Sequence, residues 1–255
     1  MTSESDTSRF FGGLHAVKAA LMRSASDIRC VYVQKGRRDS RLRDLRSLAE
    51  KHDISCNEVP RRMLDDWVGD LQHQGVVAEL IQKANGPRPE LHAFLEEQQS
   101  IRGSAAPLIL LLDGVQDPHN LGACLRSADA SGVTAVVAPA DNSVGLTAVA
   151  RKVASGAAET VPFFQVPNLR RAITDLKSLG IWVFGADSRA TDELYSLELD
   201  GPVALVMGSE GDGLRRLTRE SCDGLFHLPM AGSVESLNVS VAAGICLFEA
   251  VRQRR

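Results

Sequence analysis

A chain of 255 residues, 44% hydrophobic and 24% charged, has an ordinary globular composition and is long enough for two modest domains, which excludes a disordered or fibrous chain. Its longest purely apolar run, Leu108–Leu112, is far short of the roughly 20 residues that a bilayer-spanning helix needs. The net charge of −3 divides unevenly, as a balance of +2 over residues 1–83 and −5 over residues 84–255.

The first nine residues, polar and acidic, lack the basic-then-apolar order of a signal peptide and read as a disordered tail. A cytoplasmic chain with no membrane partner is therefore expected. Gly12-Gly13 opens a helical pattern with Leu14, Val17, Leu21 and Met22 on one face. Residues 28–33 (IRCVYV) read as a strand, 40–51 as a helix through Leu42, Leu45, Leu48 and Ala49, and 54–59 as a second strand. Pro60 opens a helix toward Trp67, and GVVAELI (75–81) is a third strand. Residues 10–83 thus form a small α/β domain. Residues 84–107, rich in Pro, Gly and polar side chains apart from one apolar turn at Leu91, Phe94 and Leu95, read as a linker.

From Leu108 to Arg255 the alternation resumes. Strands are expected at 108–113, 134–139, 161–166, 181–186 and 203–208, with helices at 119–130, 147–154, 214–222 and 237–253 and one capped by Asn168. Strands alternating with helices predict a parallel sheet covered on both faces. The final helix is apolar nearly all round, from Leu237 through Val241 to Phe248 and Val251, as expected at a subunit interface.

The stretch Lys35–Arg46 holds six basic residues and two acids. Such a cluster fits phosphates through Lys35, Arg37, Arg38 and Arg41, although it also fits a solvated helix face laced with ion pairs. Five cysteines at wide spacing, without a CxxC pair, form neither a disulfide framework nor a zinc site, and no metal is expected.

Three stretches carry polar chemistry just past predicted strands, where ligands bind in open α/β sheets: Leu112–Asp129, Leu205–Leu214 and Leu228–Ser240. Neither a GxGxxG fingerprint nor a phosphate loop fits them. Singly, Asn120 reads as a helix cap, Arg126 as a surface charge, Glu210 as a turn acid and Ser236 as the cap of the last helix. Taken together, NLGACLR (120–126), MGSEGDGL (207–214) and PMAGSVESLNVSVA (229–242) strongly resemble the three motifs of the SpoU ribose 2′-O-methyltransferases of the SPOUT superfamily. GGLHAV (12–17) and HQGVVAE (73–79) resemble those members that methylate a guanosine ribose in 23S ribosomal RNA.

That resemblance implies a C-terminal trefoil-knotted methyltransferase domain over 108–255, an N-terminal domain similar to ribosomal protein L30e, and a homodimer through the C-terminal domain. It implies S-adenosylmethionine as methyl donor, contacted by Gly208, Leu228 and Leu237. It assigns the catalytic positions to Asn120, Arg126, Glu210, Ser236 and Asn238, with Asn120 and Arg126 facing one cleft. His73 and Gln74 join the basic cluster as expected contacts to ribosomal RNA. An arginine base is chemically strained, because a guanidinium stays protonated; Arg126 reads better as a group that stabilises developing alkoxide charge. Two other readings keep much of this pattern: transfer RNA as the substrate, or a non-catalytic RNA-binding protein with a degenerate methyltransferase domain.

Overall fold

The computed structural model describes residues 10–23, 25, 28–37, 39–69, 73–81, 90–102 and 106–255. The expected tail at 1–9 and the side chain of Arg38 lie outside these residues. The chain divides into two compact units, one of residues 1–86 with 155–160 and one of residues 87–154 with 161–255.

The first unit is a four-stranded sheet in the order β1-β4-β2-β3, made of β1 (Phe10–Gly12), β2 (Ile28–Gln34), β3 (Ser55–Val59) and β4 (Val76–Leu80). β2 and β3 are parallel, whereas β4 runs antiparallel to both β1 and β2. Helices α1 (Leu14–Arg23) and α2 (Ser40–Lys51) bury Val17, Leu21, Leu42, Leu45 and Ala49 against one face with Val31 and Val33. Helix α3 (Arg61–Val68) covers the other face through Leu64 and Val68 on Val77, beside the Phe10, Tyr32 and Trp67 rings. Strand β1 was not expected; three residues are too few to display a period.

The second unit opens with α4 (Leu91–Arg102), inside the segment read as a linker. Leu91 and Leu95 are buried in a core with Ile109, Leu111, Ile173 and Val206, so the apolar turn is a packed helix and only its flank is linker-like. Strands β5 (Leu108–Asp113), β6 (Ala135–Pro139), β7 (Phe163–Val166), β8 (Trp182–Ala186), β9 (Asp192–Glu193), β10 (Val203–Gly208) and β11 (Gly224–His227) form one sheet. Its order is β7-β6-β5-β10-β8-β11-β9, and every pairing in it is parallel.

β5 and β6 are buried along their whole length, as strands covered on both faces must be. One face carries α4 and α8 (Leu169–Ser178). On the other side α5 (Pro118–Ser131) packs against α6 (Ala148–Ala154) and α10 (Val239–Gln253), and α10 also lies on β10. The short helix α9 (Arg216–Ser221) and a 3-10 turn at Leu194–Ser196 also belong to this unit, whereas the short helix α7 (Ala157–Thr160) belongs to the first. No helix among the described residues is long and apolar enough to cross a membrane.

Candidate functional site

All strands of the seven-stranded sheet point the same way, so the segments following β5, β8, β10 and β11 leave from one edge. The first begins with Asp113, whose carboxylate is 1% exposed at the end of an apolar strand. A buried carboxylate needs partners. Arg215 supplies them, donating from its backbone N–H at 2.9 Å and from Nε at 2.5 Å. This pair ties the end of β5 to the far end of the Gly-rich loop that follows β10.

That loop is tightly closed. Ser209 and Gly213 exchange two backbone hydrogen bonds of 3.2 and 3.1 Å, and a Cβ on Gly208 would lie 2.2 Å from the carbonyl carbon of Gly213. Gly208 is therefore required by backbone contact. Gly211 and Gly213, at φ 91 and 67, supply the left-handed residues of the turn.

Asp117 caps α5 by accepting from the His119 N–H, Pro118 takes the first helical position, and Gly132 ends the helix in the left-handed conformation. Asn120 therefore does not cap the helix. It lies in the first turn of α5, only 8% exposed, and donates from Nδ2 to Glu210 Oε1 at 3.1 Å. Asn238 donates from its own Nδ2 to Asn120 Oδ1 at 2.9 Å and to the same Glu210 oxygen at 2.5 Å. Asn238, not Ser236, is also the N-cap of α10, its Oδ1 accepting from the Ser240 N–H and hydroxyl at 2.9 and 2.6 Å. Thus α10 begins at Val239, two residues later than the apolar pattern predicts.

One residue from each of the three motifs, up to 118 positions apart, meets in a single hydrogen-bonded cluster. Two expected members stay outside it. Ser236 is exposed in the loop before α10 and Arg126 is exposed on α5, neither with a hydrogen bond or ion pair among the described residues. Six helical residues rotate a side chain about 120° away from the starting one. Asn120 is nearly buried inside the cluster, whereas Arg126, further along the same helix, is exposed.

The third segment has few backbone bonds. Among the described residues, Pro229–Leu237 makes no backbone–backbone hydrogen bond, and Gly208, Leu228 and Leu237 are half-buried. Its peptide N–H and C=O groups are unspent, which suits a cofactor held by main-chain contacts. Asp187 lies in the segment after β8, beside the end of β11. Burial alone would raise its carboxyl, but hydrogen bonds from Arg189 and the Arg219 charge hold it below the ordinary range. Arg219 Nε stands 2.7 Å from this carboxylate, and the backbone N–H of Asp187 donates to the Phe226 carbonyl.

In the first unit the RNA-contact residues also divide. Lys35, Arg41 and Gln74 are exposed, whereas Arg37 donates to Asp39 and to the Gln74 carbonyl. His73 is 4% exposed; its Nε2 meets Asp65 at 2.8 Å and its Nδ1 accepts from the Gly75 N–H at 3.0 Å. Both ring nitrogens are engaged, so His73 fixes the turn before β4 and offers no free edge to RNA. Among the described residues no group of three or more His, Cys, Asp or Glu is placed to hold a metal ion.

The parallel sheet thus gathers Asn120, Glu210 and Asn238 at one edge, beside a loop that makes no backbone–backbone hydrogen bond among the described residues. Residues 107–248 match the SpoU rRNA Methylase family, and residues 12–85 match the family described as RNA 2′-O ribose methyltransferase substrate binding. The chain belongs to the SpoU rRNA methylase family. It is 51% identical to the 23S rRNA (guanosine-2′-O-)-methyltransferase RlmB of Shewanella oneidensis over 243 residues, covering 95% of this chain and 96% of that protein. Its identity to the protein of that name from Pseudomonas putida is 50%, with the same coverage. A solved RNA 2′-O ribose methyltransferase superposes at TM-score 0.68 with 25% identity, covering 98% of this chain and 90% of that one. The fold is shared by AviRb of Streptomyces viridochromogenes, solved in complex with AdoMet, at TM-score 0.67 and 22% identity, covering 96% and 90%.

Proposed function

We propose that this protein transfers a methyl group from S-adenosylmethionine to the ribose 2′-hydroxyl of a guanosine in 23S ribosomal RNA. The observation that carries the reading is the Asn120–Glu210–Asn238 cluster, built from three separate motifs in a family whose near-full-length relatives bear that activity in their names. The intact cluster weighs against a degenerate, non-catalytic domain. The 95% coverage shared with the RlmB proteins includes the N-terminal unit and favours ribosomal over transfer RNA.

The cofactor supplies an already activated methyl on a sulfonium, so the protein's task is to position and deprotonate the hydroxyl. Gly208, Leu228 and Leu237 hold the cofactor by main-chain groups of the two loops. Glu210 Oε1 is fixed by two amide donors, and its Oε2 has no partner among the described residues. That open oxygen receives the hydroxyl proton. Arg126, exposed and unpaired, faces the RNA, orients a phosphate and stabilises charge developing on the ribose oxygen. Ser236 sits on the exposed loop and contacts the nucleotide.

The working form is a cytoplasmic homodimer with the knotted connection that the family resemblance implies. Val241 and Phe248, about half exposed on α10, are the apolar surface that a second copy covers.

Incubation with labelled S-adenosylmethionine and unmodified 23S ribosomal RNA tests the reading. The expected product after digestion is 2′-O-methylguanosine, and no incorporation overturns it. Arg126→Ala is expected to lower turnover by about 10²–10³, as loss of one charge-stabilising donor does, with folding and cofactor affinity unchanged.

A further inference from the structure

Asp113 stands where two segments of the site begin. It is the last residue of β5, in register with Gly208, the last residue of β10. The chain after Asp113 leads to Asn120 in the first turn of α5, and the chain after Gly208 is the loop that carries Glu210. A Cβ on Gly114 would lie 3.7 Å from Ser209 Cβ, so the two segments leave the sheet in near contact. The backbone of Asp113 is thus beside the start of the Gly-rich loop, while its carboxylate reaches the far end. Oδ2 accepts from the Arg215 N–H at 2.9 Å and Oδ1 from Arg215 Nε at 2.5 Å, with Nη2 at the same distance.

Between those ends little of the main chain fixes Glu210. Ser209 and Gly213 bond to each other across the neck of the loop, but residues 210–212 make no backbone–backbone hydrogen bond among the described residues. All three are exposed. The Asp113 side chain, by contrast, has no exposed surface. Without the guanidinium it would be a buried charge facing one peptide N–H, and such a group draws in water or swings toward it. Either movement displaces the far end of the loop, and Glu210 with it.

We infer that Asp113 and Arg215 are positioning residues for methyl transfer. Their pair holds both ends of the loop at one place, so that Glu210 meets Asn120 and Asn238 and keeps its open oxygen at the ribose hydroxyl. The inference rests on the reading of Glu210 as the proton acceptor. Neither partner touches the reacting atoms; both act through Glu210. A displacement of about 1 Å at a reacting group costs on the order of 10²-fold in rate, which is how a pair remote from the hydroxyl governs turnover.

The experiment uses the full-length protein, unmodified 23S ribosomal RNA and labelled S-adenosylmethionine. Arg215→Ala and Arg215→Lys are each made in the parent and in Glu210→Gln, and kcat is expressed per cofactor site counted by calorimetry, which leaves out unfolded chains. In the parent background Arg215→Ala is expected to lower kcat by about 10- to 100-fold, with KM for RNA within about twofold. In the Glu210→Gln background it should cost no further turnover, because the group it places is already gone. Arg215→Lys keeps the backbone N–H and the charge, serves where alanine does not fold, and should show the same pattern with a smaller loss. An equal fold-loss in both backgrounds overturns the positioning role and leaves the pair a general structural contact, and so does parent-like turnover in Arg215→Ala. Parent-like turnover in Glu210→Gln alone overturns the reading of Glu210, and this inference with it.

Discussion

Glu210 is held by one oxygen and open at the other, and the chemistry assigned to it is separable from its packing. Glutamine at this position keeps an oxygen that accepts from Asn120 and Asn238 but cannot take a proton. Glu210→Gln should therefore lower kcat by about 10²–10⁴, the usual worth of a positioned general base, with S-adenosylmethionine affinity within twofold by calorimetry. Retained turnover in Glu210→Gln would return the proton to another group. The thiols are a second case in which surroundings decide chemistry. Burial pushes Cys124 and Cys246 up to about 12, so a thiol reagent at neutral pH should reach them only after denaturant unfolds the chain.

At the scale of elements, the Gly-rich loop after β10 has its shape fixed by backbone contact. Gly208→Ala places a methyl where the Gly213 carbonyl stands, so S-adenosylmethionine affinity should fall at least tenfold while the sheet persists by circular dichroism. Helix α10 carries a different dependence. Hydrogen bonds from Arg252 hold the Glu249 carboxyl below the ordinary glutamate range. A depressed folded value gives stability that is complete above the unfolded value and is lost as pH falls through the folded one. The melting-temperature difference between the parent and Glu249→Gln should thus be full at pH 7 and shrink below about pH 4.

Elements with long periods were legible in the sequence: β5, β6, β10, α5 and α8 fall within a few residues of their expected places. Short pieces such as β1, β9 and β11 were not, because two to four residues display no period and take their extended form from the neighbouring strand. Asn120, Glu210 and Asn238, which meet in one cluster, were singled out only through the resemblance of three motifs to a family, and Arg215 was not singled out at all. The signal for it lay in Asp113, an acid closing an all-apolar strand, whose partner 102 residues away no local pattern encodes. His73 misled for the converse reason, since burial and an Asp65 partner leave no mark on the sequence around it.

For the whole molecule, the boundary between the units sets what can be removed. Deleting residues 1–86 should leave a chain that binds S-adenosylmethionine and has lost most RNA affinity. Deleting residues 1–106 also strips Leu91 and Leu95 from the core, and two buried leucines at about 2–5 kcal/mol each should leave it unfolded or melting far lower. Equal melting temperatures for the two truncations would show that α4 contributes nothing. Sheet order has a further consequence for synthesis. β10 is the strand that joins β5 to β8, yet it is made about ninety residues after β5. At roughly 5–20 residues per second a ribosome leaves the apolar edge of β5 without its neighbour for on the order of 5–20 s. The nascent chain is therefore a client for holding chaperones during that interval, and a pause in translation between Asp113 and Val203 would lengthen its exposure and raise the fraction lost to aggregation.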